Sequence, residues 1–309
     1  MLQQTTVKTV LPYFDRFVAL WPDLSALANA ALDEVLAAWQ GLGYYARAKN
    51  LLTCAQAIRD EHGGAFPASA EALRKLPGIG RYTAGAIAAI AFAQREAALD
   101  ANAARVLARV FALKEGRGPR LEAVAASLVP AGRPGDFAEA LMDLGATLCT
   151  PRRPRCSLCP WRKGCAATRR GLPESFPAPP AKRQKKERFG VAFWLLREDG
   201  ALFLRRRPEK GLLPGMIEIP STAWKSEPWD LEEAKREAPE PVDWFPVEGQ
   251  VRHAFTHFRL DLRILCGTSE SPREGLWSPL AELSRFALPT VMKKIVRHVL
   301  EARAEDGKN

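Results

Sequence analysis

Nowhere does the 309-residue sequence hold the roughly 18 consecutive apolar residues that a membrane-spanning helix requires, and no signal-peptide pattern opens it. Those absences remove the membrane-helix and exported-protein readings and make a cytoplasmic location the expectation. No internal repeat is present either, which sets aside solenoid and propeller architectures. Cysteine is scarce outside one place. Cys54 and Cys266 stand alone and read as small buried hydrophobes, whereas Cys149, Cys156, Cys159 and Cys165 fall close together. In a chain without export signals, such clustering points to metal rather than to disulfides.

What is present is ordinary for a globular protein: 47% hydrophobic and 26% charged residues, in a chain long enough for two cores. A net charge of +10 favours polyanionic partners without separating DNA, RNA and anionic membrane. The distribution is more telling. Between Arg152 and Arg188 stand 12 basic residues and only 2 acidic ones, Glu174 and Glu187. Arg152, Arg153 and Arg155 flank the cysteine cluster and are candidates for phosphate contact. Lys182 to Arg188 fits a solubilising linker equally well.

Residues 1–170 read as mostly helical, in Ala-, Leu- and Arg-rich segments separated by Gly and Pro. The segments include Leu24 to Trp39, Ala46 to Glu61, Ala68 to Leu76, Thr83 to Phe92, Ala101 to Phe111, Arg120 to Leu128 and Asp136 to Leu148. Ser69 is placed as an N-cap. Residues 171–188, rich in Pro and Lys, read as an extended linker. From 189 to 302 the period changes to that of strands, with a hairpin predicted around Glu198-Asp199-Gly200, further strand pattern from Gln250 to Cys266, and a last helix from about Pro289 to Ala302. Residues 303–309 form a tail. The fold class is therefore mostly α, followed by a smaller α+β domain.

Three motifs carry chemistry. The spacing Cys149-x6-Cys156-x2-Cys159-x5-Cys165 supplies four thiolates, enough for tetrahedral zinc or a cubane iron–sulfur cluster, and ligand chemistry alone leaves both open. Leu76-Pro77-Gly78-Ile79-Gly80 joins two helical segments; its glycines permit close approach to a phosphate, and the N–H groups opening the next helix can point at that anion. In Leu99-Asp100-Ala101-Asn102, Asp100 is placed to cap the following helix.

In combination these residues resemble the endonuclease III-like, helix–hairpin–helix DNA glycosylases. The resemblance implies a two-lobed helical glycosylase domain with a cluster-bearing loop. Cys149, Cys156, Cys159 and Cys165 would hold one [4Fe–4S] cluster that orders a basic loop against DNA. Gly78 and Gly80 would grip the backbone, and Asp100 would stabilise positive charge at C1′ of the target sugar, with Asn102 in support. Where the family has glycine between those two residues, this chain has Ala101. Tyr82 occupies the position at which strand-cleaving members carry a lysine; a phenol cannot form a Schiff base, so base release without strand cleavage is implied.

Met1-Leu2-Gln3-Gln4-Thr5 and Gly41-Leu42-Gly43-Tyr44-Tyr45-Ala46-Arg47-Ala48-Lys49-Asn50 narrow the resemblance to the adenine-excising (MutY) branch. There, Gln4 and Tyr44 would probe or wedge the duplex beside oxidised guanine as adenine flips out. Glu139, in Phe137-Ala138-Glu139-Ala140-Leu141-Met142-Asp143-Leu144-Gly145, matches a position touching the flipped adenine, and Asp143 reads as a helix-packing residue. The second domain is similar to the Nudix-like C-terminal domain of that branch. Phe255-Thr256-His257 matches its Phe-Ser-His loop, so Thr256 and His257 would contact the oxidised guanine. The metal-binding Nudix pattern is broken, since Arg236-Glu237-Ala238 runs into Pro239 and the downstream glutamates are absent; diphosphate hydrolysis is not expected.

The implied activity is hydrolysis of the N-glycosidic bond of adenine paired with 8-oxoguanine or guanine in double-stranded DNA, by an enzyme that needs only to be a monomer. The resemblance places the general-acid glutamate two residues before Met1. The sequence therefore reads as truncated at its N-terminus, with slowed or absent activity expected of residues 1–309. The rival readings are a non-catalytic lesion-duplex binder, another endonuclease III-like glycosylase, and a zinc-based nucleic-acid module.

Overall fold

The computed structural model describes residues 1–2, 5–179, 185–208, 211–270 and 274–306. Contacts divide the chain into two compact units, residues 53–182 and residues 1–52 with 183–309.

The chain opens with α1 (Val7–Leu20), α2 (Leu24–Ala28), α3 (Leu32–Ala38) and α4 (Ala46–Glu61), and the division into units falls within α4. Thr6 caps α1 and Asp23 caps α2, each through a side-chain oxygen that accepts an orphan N–H three residues on. Val10 and Phe17 of α1 bury against Val35, Leu36 and Trp39, with Phe17 edge-on to Trp39 at 5.8 Å. Burial of each such side chain contributes roughly 1.5–3 kcal/mol. The other face of α1 leaves Val7, Leu11, Phe14 and Val18 exposed at helical spacing. The single helix predicted over Leu24 to Trp39 is two helices. Asn29 ends the first by donating from its side chain to Ser25 O at 2.9 Å, and Glu34 starts the second by accepting from Ala31 N at 3.2 Å.

Residues 53–182 continue with α5 (Ala70–Leu73), α6 (Arg81–Phe92), α7 (Ala101–Val110), α8 (Pro119–Leu128), α9 (Pro134–Thr147) and α10 (Ala166–Arg169). Ser69 caps α5 as expected, but that helix is only one turn, because the chain breaks at Arg74 toward the glycine turn. Proline at the first position starts α8 and α9, where its missing N–H costs nothing. Small residues let α7 and α9 approach closely: a Cβ on Gly145 would lie 2.6 Å from Asn102 Cβ. Val106, Leu107, Leu121 and Leu141 form the core there.

The remaining segment builds a mixed sheet from β1 (Lys186–Arg197), β2 (Leu202–Arg206), β3 (Ile217–Glu218), β4 (Phe245–Pro246), β5 (Val251–Ala254), β6 (Phe258–Ser269) and β7 (Leu276–Ser278), with α11 (Leu231–Lys235) and α12 (Thr290–Asp306). The path runs β3-β2-β1-β6-β4, with β5 on β6 and β7 on β2. The predicted hairpin at Gly200 joins β1 and β2. At the centre β1 and β6 pair in parallel from Lys186↔Phe258 to Arg197↔Ser269. One face of β1, with Ala192, Trp194 and Leu196, packs with Leu260, Leu262 and Ile264 of β6 against α12; the other, with Val191, Phe193 and Leu195, packs on Trp229 and Trp244.

The helices of residues 1–52 contribute to the same unit as this sheet. Met216 and Ala287 join the core of α1 and α3, Gln40 Nε2 donates to Phe286 O at 3.1 Å, and Arg206 pairs with Asp33 at 2.8 Å. The sequence reads residues 1–52 as the start of the helical domain. Among the described residues no helix is long and apolar enough to cross a membrane.

Candidate functional site

In residues 53–182, the turn from Leu76 to Gly80 is closed by Ile79 N donating to Leu76 O at 3.2 Å, and Gly78 adopts φ +74°, a left-handed conformation that disfavours side chains. Gly78 and Gly80 are both exposed, and Gly80 starts α6 without a side-chain cap. This turn therefore offers backbone N–H groups and a helix N-terminus at its surface.

Asp100 caps α7, Oδ1 accepting from Ala103 N at 2.6 Å, and is half-buried. Tyr82, on α6, faces it: burial, and then the Asp100 carboxylate, push the phenol above its ordinary value of 10.0. The Tyr82 hydroxyl donates to Met142 Sδ at 3.2 Å, which aims the phenol at α9. Asn102 is the second residue of α7, and its Oδ1 accepts from Arg105 at 2.9 Å. That bond lies within α7 and does not reach the Asp100 carboxylate. Glu139 is exposed on α9, as is Asp143, so the packing role expected of Asp143 is corrected: that face of the helix points to water.

The four cysteines of the loop after α9 are free thiols lining one cavity. Burial raises the Cys159 thiol above 9.0, and the other three cysteines add to that shift. Among the described residues no three His, Cys, Asp or Glu side chains converge so as to hold a single metal ion. Two arginines absent from the sequence-based candidates shape the cavity. Arg109, 2% exposed, donates to Phe176 O at 3.0 Å, Thr150 O at 2.7 Å and Pro151 O at 2.9 Å, with Cys149 Sγ at 3.4 Å. Arg105 donates to Gly145 O at 2.7 Å and Cys149 O at 2.8 Å. Their signal was available: two arginines four apart on a helix whose neighbours are Ala, Val and Leu. Arg152, Arg153 and Arg155 are exposed beside this loop.

In the other unit, the chain between β5 and β6 is the Phe255-Thr256-His257 turn, with Thr256 and His257 exposed. Tyr44, at φ +48° and 49% exposed, reaches it: Tyr44 Oη and Thr256 Oγ1 share a hydrogen bond of 2.9 Å. The Arg47 guanidinium lies 5.5 Å from the Tyr44 ring and 5.2 Å from that of Trp39. Tyr44 and Thr256, far apart in sequence, are thus brought together. Gln4 lies outside the described residues.

The helical scaffold and the mixed sheet each match a known class of domain. Residues 1–130 match the HhH-GPD superfamily base excision DNA repair protein family, and residues 191–298 match the NUDIX domain. A thermostable thymine-DNA glycosylase superposes with a TM-score of 0.51 at 30% identity, over 55% of this chain and 80% of that one. The human adenine DNA glycosylase is 37% identical over an alignment of 363 positions that covers 96% of this chain and 66% of the human protein's length. The adenine DNA glycosylase of Buchnera aphidicola (Acyrthosiphon pisum) is 31% identical over 96% of this chain and 87% of its own length. The chain belongs to the adenine DNA glycosylase family.

Proposed function

We propose that this chain acts on double-stranded DNA in which adenine lies opposite 8-oxoguanine or guanine, releasing adenine by hydrolysis of its N-glycosidic bond without cutting the strand. The observation that carries the reading is Asp100 at the N-terminus of α7, its Oδ1 accepting from Ala103 N at 2.6 Å, with the Tyr82 phenol near it. As the bond to adenine lengthens, positive charge grows at C1′ and O4′ of the sugar. A carboxylate held at the N-terminus of α7 stabilises that charge through space or by transient attack on C1′. The neighbouring phenol has no amine with which to trap the opened sugar, so hydrolysis ends at an abasic site. The amides at Gly78 and Gly80 hold a phosphate, and Glu139 faces the flipped base. Tyr44, Thr256 and His257, with Gln4, address the base opposite.

The cysteine cavity fits an iron–sulfur cluster. Cys149, Cys156, Cys159 and Cys165 are all free and share one lining, and Arg109 places positive charge beside Cys149 Sγ. A [4Fe–4S] cluster bound there would act as a structural cross-link that presents Arg152, Arg153 and Arg155 to DNA.

The test is single-turnover incubation of residues 1–309 with 8-oxoguanine:adenine duplex, with binding measured on the same preparation. Lesion-selective binding, free adenine as the sole base released and an uncut strand are expected, and Asp100→Asn should remove any release while sparing binding. Release of a pyrimidine would assign the chain to another glycosylase class. Binding with negligible release would make residues 1–309 a recognition scaffold. For the cofactor, broad absorbance near ~400 nm, lost in Cys156→Ser, supports the cluster, and a colourless zinc protein would overturn it.

A further inference from the structure

The turn that carries Thr256 and His257 rests on side chains outside the contacts assigned so far. Phe255 N donates to Phe258 O at 2.9 Å, closing the turn, and the two rings stack with centroids 4.7 Å apart. Trp224 packs against both, at 5.7 Å from Phe255 and 6.4 Å from Phe258.

Trp224 is itself clamped. Its Nε1 donates to Ser221 Oγ at 3.2 Å, its carbonyl accepts from Arg188 at 3.0 Å, and the Arg207 guanidinium lies over its ring at 5.0 Å. Arg207 pairs with Glu218, whose side chain is 1% exposed, and Arg205 holds the other oxygen of that carboxylate at 2.8 Å. Arg205 also donates to Ser221 O at 2.9 Å. Both arginines therefore lead from one buried carboxylate to the same tryptophan, one by stacking and one through Ser221. Compared with apolar packing, a buried ion cluster adds little stability, but it does fix the direction of its partners.

We infer that Trp224, clamped by the Glu218–Arg205–Arg207 cluster, is a positioning residue that sets the Phe255–Phe258 turn and so aims Thr256 and His257 at the base opposite adenine. This rests on the proposed lesion-contact role of Thr256 and His257. Trp224 touches neither DNA nor the reacting sugar in this account; it acts through the turn.

The experiment measures dissociation constants of the full chain for 8-oxoguanine:adenine and guanine:adenine duplexes, with thermal midpoints to verify folding. Thr256→Ala should lower the ratio between the duplexes, and Trp224→Ala should lower it about 3- to 10-fold, the scale of a lost aromatic contact. The double variant should fall no further than the larger single effect, because both remove one function. Trp224→Phe, which keeps a ring on Phe255, should restore most of the ratio. Arg207→Lys keeps the charge opposite Glu218 but loses the planar group over Trp224 and the Nε bond to Leu212 O; it should lower the ratio and decides the matter if the alanine variant does not fold.

An unchanged ratio in the Trp224 and Arg207 variants, with Thr256→Ala still lowering it, overturns the inference. So does an equal loss of affinity for both duplexes. If Thr256→Ala itself leaves the ratio unchanged, the lesion-contact reading fails first and the inference falls with it.

Discussion

The cysteine loop and the β5–β6 turn are each shaped by an arginine, by opposite means. Around the loop, Arg109 is buried and donates to carbonyls of Thr150, Pro151 and Phe176, so one side chain satisfies main chain from two separate stretches. Under the turn, Arg207 stacks on Trp224, which packs on Phe255 and Phe258, with His253 edge-on to Phe255 at 4.6 Å. The first arrangement is a hub. The second is a stack, in which each member shares the load. A hub concentrates energy, because its loss unpairs several acceptors together, one of them buried. A stack disperses it, because the remaining rings still cover one another.

That contrast can be broken by substitution, and the largest effect belongs to the hub. Arg109→Ala should destabilise residues 53–182 by about 3 kcal/mol, the cost of leaving the buried Phe176 carbonyl and the part-buried Thr150 and Pro151 carbonyls unpaired. Denaturant unfolding measures it, and Arg109→Lys should recover little, since one ammonium cannot replace a planar fork. Next comes Gly145→Ala, on the helix that leads into the loop. Its Cβ would meet Asn102 Cβ at 2.6 Å and the Asn102 backbone at 2.9 Å, for a loss of about 2 kcal/mol. Phe258→Leu removes one ring of the stack and should cost only about 1 kcal/mol by the same measurement. A loss as large as that of Arg109→Ala would erase the distinction between the two loops.

The smallest effect is a pH slope. His253 is held below its ordinary value of 6.5 by burial and then by Lys294, so the folded state favours the neutral ring. A depressed pKa gives stability that is fully present above 6.5 and is lost as pH falls toward the folded value, because the unfolded chain binds the proton first. Unfolding curves between about pH 7 and 5 should show a slope attributable to this ring, and His253→Gln should flatten it.

Much of the loop and the turn could be read before any coordinates. Spacing alone grouped the four cysteines, which do line one cavity, and Ser69 and Asp100 announced themselves as caps by local hydrogen-bonding chemistry. Gly200 marked its hairpin for the same local reason. What escaped was nonlocal or a matter of continuity. The Leu- and Ala-rich pattern runs straight through Asn29, so the break between α2 and α3 depended on two side-chain hydrogen bonds that periodicity does not record. The parallel pairing of β1 with β6 joins strands separated by most of the second domain, and nothing in either strand names its partner. Arg105, Arg109 and Trp224 were not among the candidates, because what each holds is distant in sequence. Glu139, Gly78 and Gly80 are exposed where a partner could reach them, though their sequence signal came from motif rather than from pattern.

Apart from its contact with Cys149 Sγ, Arg109 grips carbonyl oxygens, which every amino acid supplies. The identities of Arg152, Arg153, Arg162 and Lys163 are therefore not what keeps the loop's shape. Those positions can gain or lose charge over generations while the cavity behind them stays the same. The molecule separates the part that must be built once from the part that can be retuned, so the strength of its hold on a polyanion can drift without refolding the surface that carries it.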